Sequence, residues 1–456
     1  MSNILNEFIK FKSNVNIIAV FDHARSGNGF FQTIFDDHDE VLTCPWLHYV
    51  YSYNFFNIGS DDIWDSESVH RLWTTHNRYF KLLYHDLDQS SRDFINVMGG
   101  NTDSIVDRSE VQRIFDFLVL SNSKISRKDF ILSIYFSIAA GLGKDISKIK
   151  YVLLADTISL RSEKPISGYS ATVIDQIVYD FPDSKLIHLE RDPRAGMASL
   201  VHQFTNELGN GYGLKIGNFW HRLIRLIKFD FDRDSVWVFG FWLLHVKAAY
   251  YAISKKKLKY CDNFIDVKNE DLNLDFVNTM RDISNKIGFQ WNSGWDKDFK
   301  PTMLGFIWKG TGAYNSQYQT FTNGPMANDS IKVSNQSASP NKHVTTRWKS
   351  KLKKNEIAII ELLLQDEMKD FAYPFIYFDK NNFNNMSFYK ILIFPLKGEI
   401  PSFSWIKNGL KDGFGELANR FFYLVFFPFF YITVRIIFLR IVYKHLFFKD
   451  SIKTND

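Results

Sequence analysis

The stretch that decides the fold is Val15-Asn16-Ile17-Ile18-Ala19-Val20-Phe21, followed by Asp22-His23-Ala24-Arg25-Ser26-Gly27-Asn28-Gly29 and then Phe30. Its first seven residues form an apolar run, the pattern of a strand buried on both faces. A helical pattern covers Phe30 to Asp37. A strand that passes through a glycine-containing turn into a helix aims several backbone N–H groups at one point. Those groups and the helix dipole bind an anion, usually phosphate or sulfate. Arg25 adds a permanent positive charge and Ser26 a hydroxyl donor. Gly27 and Gly29 let the backbone approach closely and take positive φ. A plain strand–helix turn is the other reading of the same residues. The segment is not a Walker A loop, which needs Gly, four residues, then Gly-Lys-Ser/Thr, because here the basic residue precedes the glycines. The dinucleotide pattern Gly-x-Gly-x-x-Gly is not completed either.

Working outward, Tyr151–Ala155 (YVLLA), Lys185–Leu189 (KLIHL) and Asn263–Val267 (NFIDV) read as similar strands. Helical patterns over residues 30–37, 173–181, 196–206 and 274–287 separate or follow them. Alternating strands and helices predict an α/β fold, a central parallel sheet with helices on both faces. Residues 46–148 and 201–262 read as helical insertions, 310–345 as a long loop rich in Gly, Asn, Ser, Thr and Gln, and 354–370 as a helix. This organisation predicts one domain over residues 1–375 and an apolar, basic C-terminal extension over 376–456.

Composition bounds the function. Of 456 residues, 45% are hydrophobic and 23% charged, which excludes a disordered or collagenous chain. A net charge of +5 is too small to argue for a nucleic-acid partner. The two cysteines, Cys44 and Cys261, cannot form a disulfide framework or a cysteine-based metal site, so the chain reads as intracellular. Metal-ligand spacing such as His-Glu-x-x-His is absent from the sequence. Residues Met1–Lys12 lack the apolar core of a secretory signal.

A second motif begins at Phe181-Pro182-Asp183 and runs through the strand Lys185–Leu189 into Glu190-Arg191-Asp192-Pro193-Arg194, then Ala195-Gly196-Met197-Ala198-Ser199. Pro193 suits the first turn of a helix, where its missing N–H costs little. Arg191 and Ser199 flank the turn and can converge on one anion. A surface arginine pair at a helix start is the alternative.

Arg25-Ser26-Gly27-Asn28-Gly29-Phe30-Phe31-Gln32, with Asp36-Asp37-His38-Asp39-Glu40-Val41, resembles the sulfate-side loop of sulfotransferases that use 3′-phosphoadenylyl sulfate (PAPS). In that family the strand ends in Arg/Lys-Ser-Gly-Ser/Thr and a His-Pro-Asp/Glu-Val turn closes the helix. Here Asp39 replaces the usual Pro, and Gly29 a frequent Thr. The second motif resembles the family's 3′-phosphate site, where an Arg after the strand and a Ser eight residues on grip that phosphate. Asp266-Val267-Lys268-Asn269-Glu270-Asp271-Leu272 resembles its strand–Tyr-Glu-Asp-Leu–helix segment, with Asn269 for Tyr. Trp308-Lys309-Gly310-Thr311-Gly312 and Arg347-Trp348 resemble its closing elements. The matches keep the family's order over residues 15–375.

The resemblance implies a P-loop-like fold and transfer of a sulfuryl group from PAPS to an acceptor hydroxyl or amine, without a metal. It implies cofactor contacts from Arg25, Ser26, Gly27, Asn28, Gly29, Phe30, Arg191, Ser199 and Lys309. Arg25 is the expected charge stabiliser at the bridging oxygen. The general base falls to His48, the titratable side chain in Cys44-Pro45-Trp46-Leu47-His48, whose intrinsic pKa suits the role. Asp156, Glu163 and Lys164 are the alternatives. His38, His188 and His202 read as structural. A P-loop kinase or nucleotide hydrolase lacks its Gly-Lys-Ser/Thr step here. A non-catalytic, membrane-associated nucleotide-binding protein on the same fold is the remaining competitor.

The acceptor is expected to be a small molecule, glycan or lipid, held between the insertions, with Trp46, Trp220 and Trp242 as stacking candidates. Beyond residue 376, Phe388–Pro395 is apolar and Phe421–Val434 carries no charge for 14 residues, before Arg435, Arg440, Lys444 and Lys449. A spanning helix needs about 20 apolar residues. The segment is therefore expected to lie on a membrane surface, on the cytosolic face where the cofactor is made; an aromatic helix pair packed on the sheet domain and a true span that includes Arg435 and Arg440 are the other readings. Oligomeric state is not legible.

Overall fold

The computed structural model describes most of residues 2–47, residue 51, most of 63–92, residue 95, 105–157, 172–199, most of 238–308, 342–377, and part of 414–432. Helix α1 (Ser2–Asn14) leads into strand β1 (Asn16–Asp22) and helix α2 (Asn28–Ile34). Strand β2 (Val41–Leu42) follows. The first insertion pairs β3 (Ile63–Asp65) antiparallel with β4 (Lys124–Ser126). Around them lie helices α3 (Ser66–His76), α4 (Arg78–Tyr84), α5 (Arg108–Leu120) and α6 (Arg127–Gly141).

Strand β5 (Tyr151–Thr157), helix α7 (Thr172–Asp180) and strand β6 (Lys185–Glu190) return to the main sheet. Helix α8 (Val238–Lys259), strand β7 (Phe264–Lys268), and helices α9 (Asn269–Leu274) and α10 (Phe276–Ile287) come next. A two-stranded pair, β8 (Thr302–Met303) and β9 (Phe306–Ile307), precedes the last described helices of the domain. These are α11 (Lys342–Thr346), α12 (Trp348–Lys351), α13 (Lys354–Leu363) and α14 (Gln365–Asp370).

The main sheet is parallel in the order β2-β5-β1-β6-β7. Strand β1 is central because it is apolar on both faces: every residue from Ile17 to Asp22 is buried. Each such aliphatic or aromatic side chain contributes about 1.5–3 kcal/mol on burial. A charge at Val20 would therefore break the sheet at its middle. The four expected strands appear within two residues of their predicted ends. Helix α6 is buried on nearly all sides and forms a central pillar of the insertion, where the buried Arg127 pairs with Asp180 at 2.6 Å.

Two expectations are adjusted. The helix read over residues 354–370 is two, α13 and α14, with Leu364 at φ −112 and ψ 29 between them. Helix α11 occupies residues that were read as the end of the loop over 310–345; the rest of that loop lies outside the described residues.

Candidate anion-binding site

The carboxyl ends of β1 and β6 are neighbours, because Phe21 is in register with His188. The two motifs that follow these strands therefore meet. Arg25 sits at φ 64 and Gly27 at φ 98, both left-handed. Gly29 lies within α2 and does not take the positive φ expected of it, because the helix has already begun at Asn28. For Gly27 the left-handed conformation is free of strain, whereas for Arg25 it costs on the order of 1–2 kcal/mol. Alternating left-handed and right-handed residues turn successive N–H groups toward one concave side, which suits an anion.

The Arg25 guanidinium donates to the Ser199 hydroxyl at 2.9 Å, and Arg191 donates to the Arg25 carbonyl at 2.9 Å. Arg191 also donates to the Val344 carbonyl at 3.2 Å, which draws α11 over the site. Both arginines of the Arg191-Asp192-Pro193-Arg194 turn are buried, so neither is a surface residue. They do different work. Arg194 is held by Asp192 at 2.7 Å and Glu361 at 2.7 Å, and its guanidinium lies 4.4 Å from the Trp348 ring centroid. It fastens the turn to α12 and α13, while Arg191 faces the loop of residues 25–29.

Asn28 opens α2. Its Oδ1 accepts from Gln32 at 3.3 Å, and its buried Nδ2 has no hydrogen-bond partner among the described residues. A buried amide without a partner costs about 1–3 kcal/mol, and an anion in the loop would relieve it. Gly27 is covered by Asn269: a methyl group there would collide with the Asn269 side-chain amide. Asn273 donates to the Asn269 carbonyl at 2.7 Å and fixes that residue in turn. Glu270 accepts from the Asp192 amide at 3.1 Å and from the Tyr373 hydroxyl at 2.8 Å, so α9 braces the turn of residues 191–194 as well as covering Gly27. Burial raises the Glu270 carboxyl above the ordinary carboxylate range, against the pull of Arg191.

Phe30 stacks on Trp308, with ring centroids 6.1 Å apart. Lys309, the next residue, lies outside the described residues, as do His48, Glu163, Lys164, His202, Trp46 and Trp220. Trp242 lies in α8 and Asp156 in β5, but their side chains are not among those described. His38 donates from Nε2 to the Gln290 carbonyl at 3.0 Å and accepts the Glu40 amide at Nδ1 at 3.0 Å. Burial holds its pKa below the usual value, and with bonds at both ring nitrogens it braces the turn, as expected.

Sequence reading missed three parts of this site: the Asn269 lid on Gly27, the Glu270–Asp192 tie, and His23, which lies buried behind Ser26. The substitution of Asn269 for Tyr was visible, but not its place against the loop. Among the described residues no cluster of three or more His, Cys, Asp or Glu side chains could hold a metal ion.

No family model matches the chain, and no curated protein matches it by sequence. Solved structures similar to it include the sulfotransferase domain of the Synechococcus PCC 7002 olefin synthase, at 15% identity and TM-score 0.38 over 79% of this chain and 96% of that one. The sulfotransferase domain from the curacin biosynthetic pathway matches at 11% identity and TM-score 0.40, over 79% and 99%. Retinol dehydratase in complex with androsterone and the inactive cofactor PAP matches at 15% identity and TM-score 0.30, over 80% and 86%. All three likenesses are weak in sequence identity and in TM-score.

Proposed function

We propose that this chain is a sulfotransferase that moves the sulfuryl group of PAPS to an acceptor hydroxyl or amine, with no metal. The observation that carries the reading is the convergence of Arg25, Ser199 and Arg191 on one loop from two strand ends. Two arginines, a hydroxyl, two left-handed turn residues and an amide without a partner among the described residues suit a ligand with two separate anionic groups. The loop of Arg25, Ser26, Gly27, Asn28, Gly29 and Phe30 would hold the phosphosulfate. Arg191 and Ser199 would hold the 3′-phosphate, and Lys309 would close over it.

The co-substrate supplies an activated sulfuryl group whose leaving phosphate gathers negative charge. Arg25 is placed by its bond to Ser199 and would offset that charge. Neutralising the leaving oxygen in this way needs no proton transfer from the chain. His48 would remove the acceptor proton. The acceptor class we favour is a glycan or lipid. Residues 414–432 are helical wherever they are described, with Phe414, Phe421, Phe422, Val425, Phe429 and Ile432 exposed. Among the described residues no helix is long and apolar enough to cross a membrane. Exposed apolar residues of helical conformation, followed in the sequence by Arg435, Arg440 and Lys444, suit attachment to an anionic membrane surface.

Two measurements test this. Adenosine 3′,5′-bisphosphate should raise the melting temperature more than ATP does. Labelled sulfate should pass from PAPS to components of a membrane extract. Stabilisation by ATP alone would instead support a nucleotide hydrolase or kinase.

A further inference from the structure

Behind the anion loop lies a line of ionisable side chains that the proposed reaction does not use. In a parallel pair, residues in register lie on the same face, and so do residues two apart along a strand. Phe21 is in register with His188, and His188 with Asp266. The face that carries His188 therefore also carries Glu190 and Asp266, and it continues from Phe21 to His23. The side chains meet as this register requires. His23 Nδ1 lies 3.4 Å from Glu190 Oε2, and His188 Nε2 lies 3.1 Å from the same oxygen. His188 Nδ1 lies 3.4 Å from Asp266, which pairs with Lys257 at the surface. His23, His188 and Glu190 are all at most 1% exposed. At the inner end, Ser26 Oγ lies 3.2 Å from both ring nitrogens of His23.

We propose that His23 is a positioning residue of the anion loop: set in a buried array with Glu190 and His188, it commits the Ser26 hydroxyl to donate to the bound anion. The inference rests on the reading of that loop as the phosphosulfate site. Its chemistry is simple. An imidazolium has no acceptor nitrogen, so the Ser26 hydroxyl cannot donate to His23 and its proton is left for the anion of the loop. A neutral imidazole has an acceptor nitrogen that competes with the anion for that proton.

The surroundings of His23 favour the charged form. Burial alone would lower its pKa. Glu190 on β6 and Asp22 on β1 raise it, Arg191 lowers it, and the balance lies above the ordinary 6.5. Burial likewise pushes Glu190 up, but His23 and His188 overcome this and hold it at about 2. The surroundings thus favour a protonated His23 facing an ionised Glu190. The inner end of the array holds Ser26, and its outer end reaches Asp266, whose side chain is half exposed.

The test is calorimetric titration of the full chain with adenosine 3′,5′-bisphosphate between about pH 6 and about pH 9, for the wild type, Ser26→Ala and His23→Gln. The ligand's own phosphate ionisation, near about pH 6, is common to all three. Wild-type affinity should fall about tenfold as His23 loses its proton, the scale of one charge-assisted hydrogen bond. Ser26→Ala should bind about tenfold more weakly at the acid end and show no further fall. His23→Gln should lack the step. A Ser26→Ala profile parallel to that of the wild type, or a step that persists in His23→Gln, overturns the inference and leaves the sulfotransferase reading standing. Absence of wild-type binding at every pH overturns that reading, and the inference with it. If His23→Gln does not fold, Ser26→Ala, which alters one small hydroxyl, still decides.

Discussion

Arg25 donates to the Ser199 hydroxyl at 2.9 Å across 174 residues of sequence. That bond joins a turn after the central strand to a helix after its neighbour, so the two motifs meet at one place. Arg25 makes it from a strained backbone, at φ 64. Side chain and backbone can therefore be separated by mutation. Arg25→Ala and Arg25→Gly should both lower turnover by about 10²–10³, as loss of one charge-stabilising donor does in other enzymes. The Gly variant should be the more stable of the two by about 1 kcal/mol, because Gly takes the left-handed conformation without penalty. Denaturant unfolding of the pair checks this, and equal stability would show that the Arg25 backbone carries no strain.

Gly27 is constrained twice, by φ 98 and by the Asn269 amide that covers it. Gly27→Ala should weaken binding of adenosine 3′,5′-bisphosphate and destabilise the fold by about 1–3 kcal/mol. Adding Asn269→Ala removes the collision but not the backbone term, so the double variant should recover part of the stability and not all of it. A double-mutant cycle measures the shared part. Full recovery would mean that the left-handed backbone contributes nothing.

The two arginines of the second motif should give opposite phenotypes. Arg191 faces the loop through the Arg25 carbonyl. Arg191→Ala should cost about tenfold to a hundredfold in ligand affinity, with a smaller effect on stability. Arg194 neutralises the buried Asp192 and Glu361. Arg194→Ala leaves both carboxylates without that partner and should destabilise the chain by about 3–5 kcal/mol. Ligand affinity of the folded fraction should change little. Calorimetric titration and chemical denaturation of both variants separate the roles.

Much of this site is legible in the sequence, and what is not has a physical cause. Strands β1, β5, β6 and β7 read clearly because strands buried on both faces are continuous apolar runs. Strand β2 has two residues, too few to show any period. The mixed, charged residues of α1 gave no apolar run to read, although Phe8 and Phe11 are buried. Arg25, Arg191 and Ser199 stood out because motif order and spacing carry them. Asn269 over Gly27, and His23 beside Glu190, did not. Those contacts depend on strand register and on how closely α9 approaches the loop, and neither is written in local spacing. The break between α13 and α14 has no Gly or Pro to announce it.

Glu367 gives the chain a second pH dependence, opposite in sign to that of Glu190. It is buried in α14, with Lys247 4.0 Å away and no hydrogen-bond partner for Oε2 among the described residues. Burial pushes its carboxyl up to about 7, against the pull of Lys247 and with help from Asp366 and Glu190. In the unfolded chain the carboxyl returns to about 4.3. Between these values the folded state binds the extra proton, so stability is fully present below the unfolded pKa and falls as pH rises through about 7. Glu190, held at about 2, works the other way: its contribution is present above the unfolded pKa and is lost as pH falls toward about 2. Glu367→Gln keeps the shape without the charge. It should flatten the alkaline decline between about pH 5 and about pH 8 and leave the acid limb in place, and at the alkaline end it should exceed the wild type by a few kcal/mol. Unfolding free energies measured across that range check both limbs, and an unchanged alkaline slope in Glu367→Gln would assign the decline to another group.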